Sequence, residues 1–176
     1  AEIRLPEALN RKLLCPFQYF GITDSVDLSK ATWQNGRYLP SELTNIYTSS
    51  DRRTGEIISN LNKYLTDIHD VRALCFCITQ EHAQFMAEKF MLAGLSADYL
   101  VSSRNHLRDE LRSKFTKKQI NYLFVVDIFN EGVDIPEIDT VLFLRPTESL
   151  TVFLQQLGRG LRLAEGKECL TVLDFV

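Results

Sequence analysis

Two spacings of apolar residues alternate along the 176-residue chain. Six runs are almost continuously apolar: FQYFGI (17–22), RALCFCI (72–78), ADYLV (97–101), NYLFVV (121–126), TVLFL (140–144) and CLTVLDF (169–175). Short apolar runs without alternation suit strands covered on both faces. Between most of them the apolar residues recur three and four apart. Ile57, Ile58, Leu61, Tyr64, Leu65 and Ile68 make one stripe within 52–68. Ala83, Phe85, Met86, Ala87, Phe90 and Met91 make another within 80–92, and Gly94 is a natural stop. Residues 104–115 and 149–162 predict two further helices. Strand–helix–strand repetition predicts an α/β fold, a parallel sheet with helices on both faces. The rhythm breaks over 23–50, where Trp33, Gly36 and Pro40 stand among Asp, Ser and Asn. That stretch predicts a linker or irregular excursion, with the α/β unit proper starting near residue 51.

A parallel sheet binds ligands beyond the C-terminal ends of its strands. Three of those ends are polar here: Thr79, Ser102 with Ser103, and Asp127. A hydroxyl at such a place can cap the next helix, or join the helix amides in holding a phosphate. The residues alone leave both roles open. The stretch RNHLRDELRSKFTKK (104–118) has six basic residues against two acidic ones. Arg104, Arg108 and Arg112 fall on one predicted helical row, which either follows a phosphate backbone or is a solvated face.

Composition narrows the classes. At 45% hydrophobic and 24% charged, the chain is typical of a globular domain. A net charge of −3 gives no global pull toward nucleic acid, so any such binding rests on a local patch. No apolar run approaches the roughly 20 residues of a membrane span. The opening AEIRLPEALNRKLL is amphipathic and does not read as a signal peptide. Cys15, Cys75, Cys77 and Cys169 show no zinc spacing, and His69, His82 and His106 are scattered. Reduced cysteines packed as small hydrophobes, in a reducing cytoplasm, are the expectation. The sequence opens without Met and stops inside an apolar strand, and so is expected to be a piece of a longer polypeptide.

QQLGRGLRL (155–163) carries the sharpest chemistry. Gln155, Arg159 and Arg162 share one helical face. Gly158 and Gly160 each weaken that helix by about 1 kcal/mol relative to alanine. Glycines beside arginines suit a backbone that comes close to an anion; a solvated basic helix end is the other reading. Just upstream, the turn holding Glu131, Gly132 and Asp134 follows a buried strand, and Pro136 stops any helix. A carboxylate there can accept hydrogen bonds from sugar hydroxyls.

FNEGVDIP resembles motif V, and QQLGRGLR fits the Q-x-x-G-R-x-x-R of motif VI, of superfamily 2 helicases. RALCFCITQEHAQFMAEKF resembles motif IV. Their order and spacing resemble the second RecA-like domain over about residues 51–176, and residues 1–50 resemble the segment joining the two RecA-like domains. The wording is most similar to bacterial DEAD/DEAH-type helicases related to type III restriction subunits and the XPB-like branch.

The resemblance implies ATP bound between two domains, with Mg2+ and the phosphate loop supplied by the first. Arg162 would be the arginine finger and Arg159 would also reach the γ-phosphate. Gly132 and Asp134 would face the nucleotide, and Gln155 would organise the interface. The nucleic acid, DNA with RNA as the other possibility, would run past Thr79, Ser102, Asp127 and Asn130, and the basic row adds Arg104 and Arg108 as candidates. One position departs: Val126 stands where many relatives carry a phosphate-binding threonine. No G-x-x-x-x-G-K-[ST] occurs; EGKE (165–168) reads as a surface turn, and there is no D-E-x-H-type motif. The expectation is half of a motor, inactive alone as an ATPase, partnered by a first RecA-like domain and by nucleic acid, away from membranes. A rival from another class is a non-enzymatic doubly wound domain that binds a small ligand or a protein, with Arg159 and Arg162 paired to Glu165 and Glu168. A self-contained nucleotide enzyme is opposed by the missing phosphate loop.

Overall fold

The computed structural model describes residues 17–126, 137–146 and 170–175. In chain order the elements are β1 (Phe17–Ile22), β2 (Trp33–Gln34), β3 (Arg37–Tyr38), α1 (Pro40–Thr48), α2 (Asp51–Tyr64), β4 (Ala73–Phe76), α3 (Gln80–Leu92), β5 (Ala97–Leu100), a 3₁₀ segment (Ser102–Leu107), α4 (Arg108–Thr116), β6 (Tyr122–Val125), β7 (Thr140–Phe143) and β8 (Leu170–Phe175). Each of the six apolar runs is a strand of one sheet, ordered β1-β8-β7-β4-β6-β5. All its pairings are parallel.

Every residue of β4, β6 and β7 is buried, which is why these runs show no alternation. Their side chains divide between two cores. Ala73, Cys75, Tyr122, Phe124 and Leu142 meet Ile57 and Leu61 of α2 and Met86 and Phe90 of α3. Leu74, Phe76, Leu123, Val125, Val141 and Phe143 face the other way, toward Leu111 and Phe115 of α4. Phe90 fixes the first core, with its ring 5.0 Å from Tyr122 and 5.0 Å from Phe124, both edge to face. Cys75 and Cys77 are free and buried in this core, and burial pushes both thiols up.

Local chemistry moves some expected boundaries. Helix α2 opens where the Ser50 hydroxyl accepts the Arg53 N–H, and it ends at Tyr64 rather than at 68. Leu65 is already extended, and Asp67 accepts the His69 N–H in a tight turn. Ile68 still packs on the core from that turn, and its carbonyl accepts the Tyr122 hydroxyl at 2.7 Å. Helix α3 keeps its expected bounds, and Gly94 closes it at φ +85°. The helix expected over 104–115 is divided into the 3₁₀ segment and α4, with Arg104 non-helical at φ −113°, ψ 20°.

The stretch 23–50 is more ordered than expected. It holds a β2–β3 hairpin and helix α1, which begins with a proline in its first turn and buries Leu43, Thr44 and Tyr47. Before it, β1 pairs with β8 from Phe17↔Leu170 to Ile22↔Phe175, so the sheet takes a strand from before residue 51.

Candidate functional site at the C-terminal edge of the sheet

Because the strands are parallel, Ile22, Phe76, Leu100, Val125, Phe143 and Phe175 all end on one edge. The connections leaving that edge begin with Thr23, Cys77, Val101, Val126 and Leu144. Arg53 is buried among them, at 2% exposure, from the first turn of α2. Its Nε donates to Asp24 at 2.9 Å, and its Nη2 lies 2.8 Å from the same carboxylate. Nη2 also donates to the Leu144 carbonyl at 2.9 Å. The guanidinium lies 4.0 Å over the Tyr47 ring, a cation–π contact. Thus one side chain joins the segment after β1, helix α1, helix α2 and the end of β7.

His82 completes the cluster, fully buried with its ring 5.0 Å from Tyr47. Its Nδ1 accepts the Ile78 N–H at 3.1 Å, so the neutral ring carries its proton on Nε2. Nε2 lies 3.5 Å from Arg53 Nη1. Burial, and secondarily the nearby guanidinium, lower its pKa to about 3. Burial also pushes the Tyr47 phenol up to about 12.

Thr79 is the side-chain cap of α3: its Oγ1 accepts the His82 N–H at 3.3 Å. Its hydroxyl also lies 2.7 Å from that of Thr44, and Thr44 gives its proton to the Pro40 carbonyl at 2.8 Å. Thr79 is therefore the donor of the pair, and its one proton is committed. A phosphate at this edge would meet the helix amides rather than a Thr79 O–H.

Gln80 ties the ends of β4 and β5 together. Its side-chain amide donates to Ser102 Oγ at 2.7 Å, and its carbonyl accepts from Ser103 at 2.7 Å. In that arrangement Ser102 accepts from Gln80 and keeps a proton to give.

The expected basic row is broken at Arg104, while Arg108 and Arg112 stay one turn apart on α4. Arg104 turns back onto β5, 2.8 Å from the Asp98 carboxylate, donating to the Tyr99 carbonyl at 2.7 Å and lying 4.0 Å over the Tyr99 ring. Arg108 begins α4 and holds the Asn105 side-chain carbonyl with Nη2 at 2.6 Å. The 3₁₀ segment turns three residues per cycle, so Arg104 and Arg108 do not share an α-helical face.

Val126, in place of a threonine, packs on the core shared by α2 and α3. Asp127, Asn130, Gly132, Asp134, Gln155, Arg159 and Arg162 lie outside the described residues. Sequence reasoning missed Arg53, Asp24, His82 and Gln80. Ser50 three residues before Arg53 was a readable cap, but nothing local told that Arg53 would be buried.

Farther along the edge, the Tyr19 hydroxyl donates to Asp174 Oδ2 at 2.5 Å. Asp174 is 4% exposed, and its Oδ1 is buried without a hydrogen-bond partner. Burial raises its pKa, and Tyr19 rises to about 12, through burial first and then this bond.

Among the described residues, an all-parallel six-stranded sheet with helices on both faces and polar groups at its C-terminal edge is the architecture of a RecA-like domain. The profile of the helicase conserved C-terminal domain matches residues 56–164, and the chain belongs to that family. The ATP-dependent helicase IRC3 of Saccharomyces cerevisiae is 30% identical over 175 residues, covering 97% of this chain and 25% of that protein. The chain thus spans about a quarter of the relative's length. Two solved structures share the fold. A fragment of an HsdR subunit of a type I restriction enzyme from Vibrio vulnificus has a TM-score of 0.71 at 19% identity, over 96% of this chain and 33% of that one. The E. coli DEAD-box protein SrmB has a TM-score of 0.61 at 19% identity, over 93% and 77%.

Proposed function

We propose that this chain is the second motor domain of an ATP-dependent DNA helicase or translocase. The observation that carries the reading is the family match from 56 to 164, which takes in motifs IV, V and VI, in a chain that has no phosphate loop of its own. Arg159 and Arg162 are assigned to the nucleotide phosphates, Arg162 as the finger. Gly132 and Asp134 are assigned to the nucleotide, and Gln155 to the interface between domains. Among the described residues no His, Cys, Asp or Glu cluster could hold a metal, and Mg2+ is assigned to the first domain, where it would neutralise phosphate charge.

The arginines gain phosphate contacts when the two domains close and lose them when the domains part. Each lobe grips a strand through its phosphates, so closing and opening become stepping. On this domain the grip is assigned to the amides at the start of α3, the Ser102 hydroxyl, Arg108, and the turn with Asp127 and Asn130. Arg104, committed to Asp98, supports the end of β5 instead. The cytoplasm is the proposed setting. No helix among the described residues is long and apolar enough to cross a membrane.

The test is Arg162→Ala in a protein that joins this chain to its first RecA-like domain. Steady-state ATPase is measured with saturating oligo(dT) or oligo(U), beside a melting curve. Turnover should fall about 10³–10⁵-fold, roughly 4–7 kcal/mol of barrier, with the melting curve unchanged. Arg162→Lys should rescue poorly, because a point charge replaces a planar fork. Wild-type turnover in Arg162→Ala refutes the finger assignment, and a collapsed melting temperature makes the arginine structural.

A further inference from the structure

The single tryptophan of the chain stands on the surface. Trp33 is 60% exposed, on the β2–β3 hairpin. Such a ring is ordinarily turned inward, because it is the largest apolar surface a chain can bury. Here it is held outward by a rigid frame. Asn35 and Gly36 both take positive φ, 52° and 78°, which gives the tight two-residue turn that matches strand twist. Trp33 pairs across the hairpin with Tyr38, rings 4.8 Å apart and 80° between planes. Whichever ring gives its edge, the Tyr38 contact covers at most one face of the indole, and the residue stays 60% exposed.

The hairpin is also fixed in place. The Thr32 N–H and hydroxyl bond to the two carboxylate oxygens of Glu42 at 2.6 and 3.0 Å, and the Leu39 N–H bonds to the Thr32 carbonyl at 3.2 Å. Glu42 lies on α1, two residues before Thr44, whose hydroxyl meets Thr79. Two residues of helix are about 3 Å of rise. Those two residues also turn about 200°, so the hairpin is anchored on the outer face of α1, the helix whose inner face meets the start of α3 through Thr44.

We propose that Trp33 is a base-stacking platform for single-stranded nucleic acid, an inference that rests on the reading under Proposed function. The surroundings of the ring select this occupant. Gln34, Asn35, Gly36 and Arg37, all exposed, leave the indole as a lone flat face among polar groups with one cation, while the nearby Glu42 carboxylate is held by Thr32. A protein partner would ask for a contiguous apolar patch. A nucleobase asks only for a π-face, with a cation nearby for its phosphate, and such stacking tolerates any sequence.

The experiment compares Trp33→Ala and Trp33→Phe with wild type in the intact protein. Affinity is measured by fluorescence anisotropy for oligo(dT) and for an abasic oligomer of the same length, which keeps the phosphates and lacks the bases. Trp33→Ala should bind oligo(dT) about 5- to 100-fold more weakly and the abasic strand as wild type does. Trp33→Phe should stay close to wild type on both. Unchanged oligo(dT) binding in Trp33→Ala overturns the proposal. So does an equal loss on both strands, or a fall in melting temperature with no loss of base-dependent affinity, which would mean that the indole packs on protein. If wild type binds neither strand, the nucleic-acid reading itself falls and takes this one with it.

Discussion

Removing the Asp24 carboxylate by Asp24→Ala strips Arg53 of its counter-ion at a position only 2% exposed. At an effective dielectric of about 20, two unit charges 2.8 Å apart attract by about 6 kcal/mol before desolvation is subtracted. Breaking a buried pair from one side is destabilising by about 3–5 kcal/mol, and the Leu144 carbonyl and the Tyr47 ring do not replace a full negative charge. For a chain of this size that is a fall of roughly 6–20 °C in melting temperature. Arg53→Met works from the other side. It leaves the Leu144 carbonyl without its donor, at about 1–3 kcal/mol, and removes the cation–π contact. With both charges gone, Asp24→Ala/Arg53→Met should be more stable than Asp24→Ala alone, because no unpaired charge stays buried. Urea unfolding at pH 7, fitted for midpoint and slope, measures all three variants. An Asp24→Ala protein within 1 kcal/mol of wild type, or a double variant weakened by the sum of the singles, refutes the argument.

Two further outcomes follow from the same edge. His82 has a folded pKa of about 3 against an ordinary 6.5, so the unfolded chain takes up a proton that the folded one refuses. Its contribution to stability is complete above pH 6.5 and falls by about 1.4 kcal/mol per unit as the pH drops from there toward 3. Wild type minus His82→Gln, measured by urea unfolding between pH 7 and 4.5, should show that slope, and parallel curves would contradict it. Thr79→Val removes the cap of α3 and the donor to Thr44, and should lower stability by about 1–2 kcal/mol, while Thr79→Ser should restore most of it; a neutral Thr79→Val in the same assay would show that the cap contributes little.

How far the sequence could be read depends on how local each cause is. The central strands β4, β6 and β7 were legible because burial on both faces leaves an unbroken apolar run, as in Ala73–Phe76. Helix α3 was legible to the residue because Thr79 and Gly94 punctuate it. Helix α2 was drawn too long because Leu65 and Ile68 continue the apolar stripe, and Ile68 keeps its place in the core without being helical. The Arg104 row failed for a different reason: an ion pair to Asp98, six residues back, outweighed helical spacing. The arginine that most organises the candidate site, Arg53, was invisible, because its partners Asp24, His82 and Leu144 are 29, 29 and 91 residues away. The family motifs V and VI were readable as patterns, and their residues lie outside the described ones.

The β1–β8 pairing sets a schedule for assembly. Tyr19 and Asp174 are 155 residues apart, so at 5–20 residues per second the ribosome makes the first roughly 8–30 s before the second exists. Throughout that interval FQYFGI is an apolar strand with no neighbour, the kind of segment that pairs with other chains. An edge strand of the described sheet is thus an early liability, and a chaperone that shields it until synthesis reaches β8 would raise the yield of folded protein without altering the finished sheet.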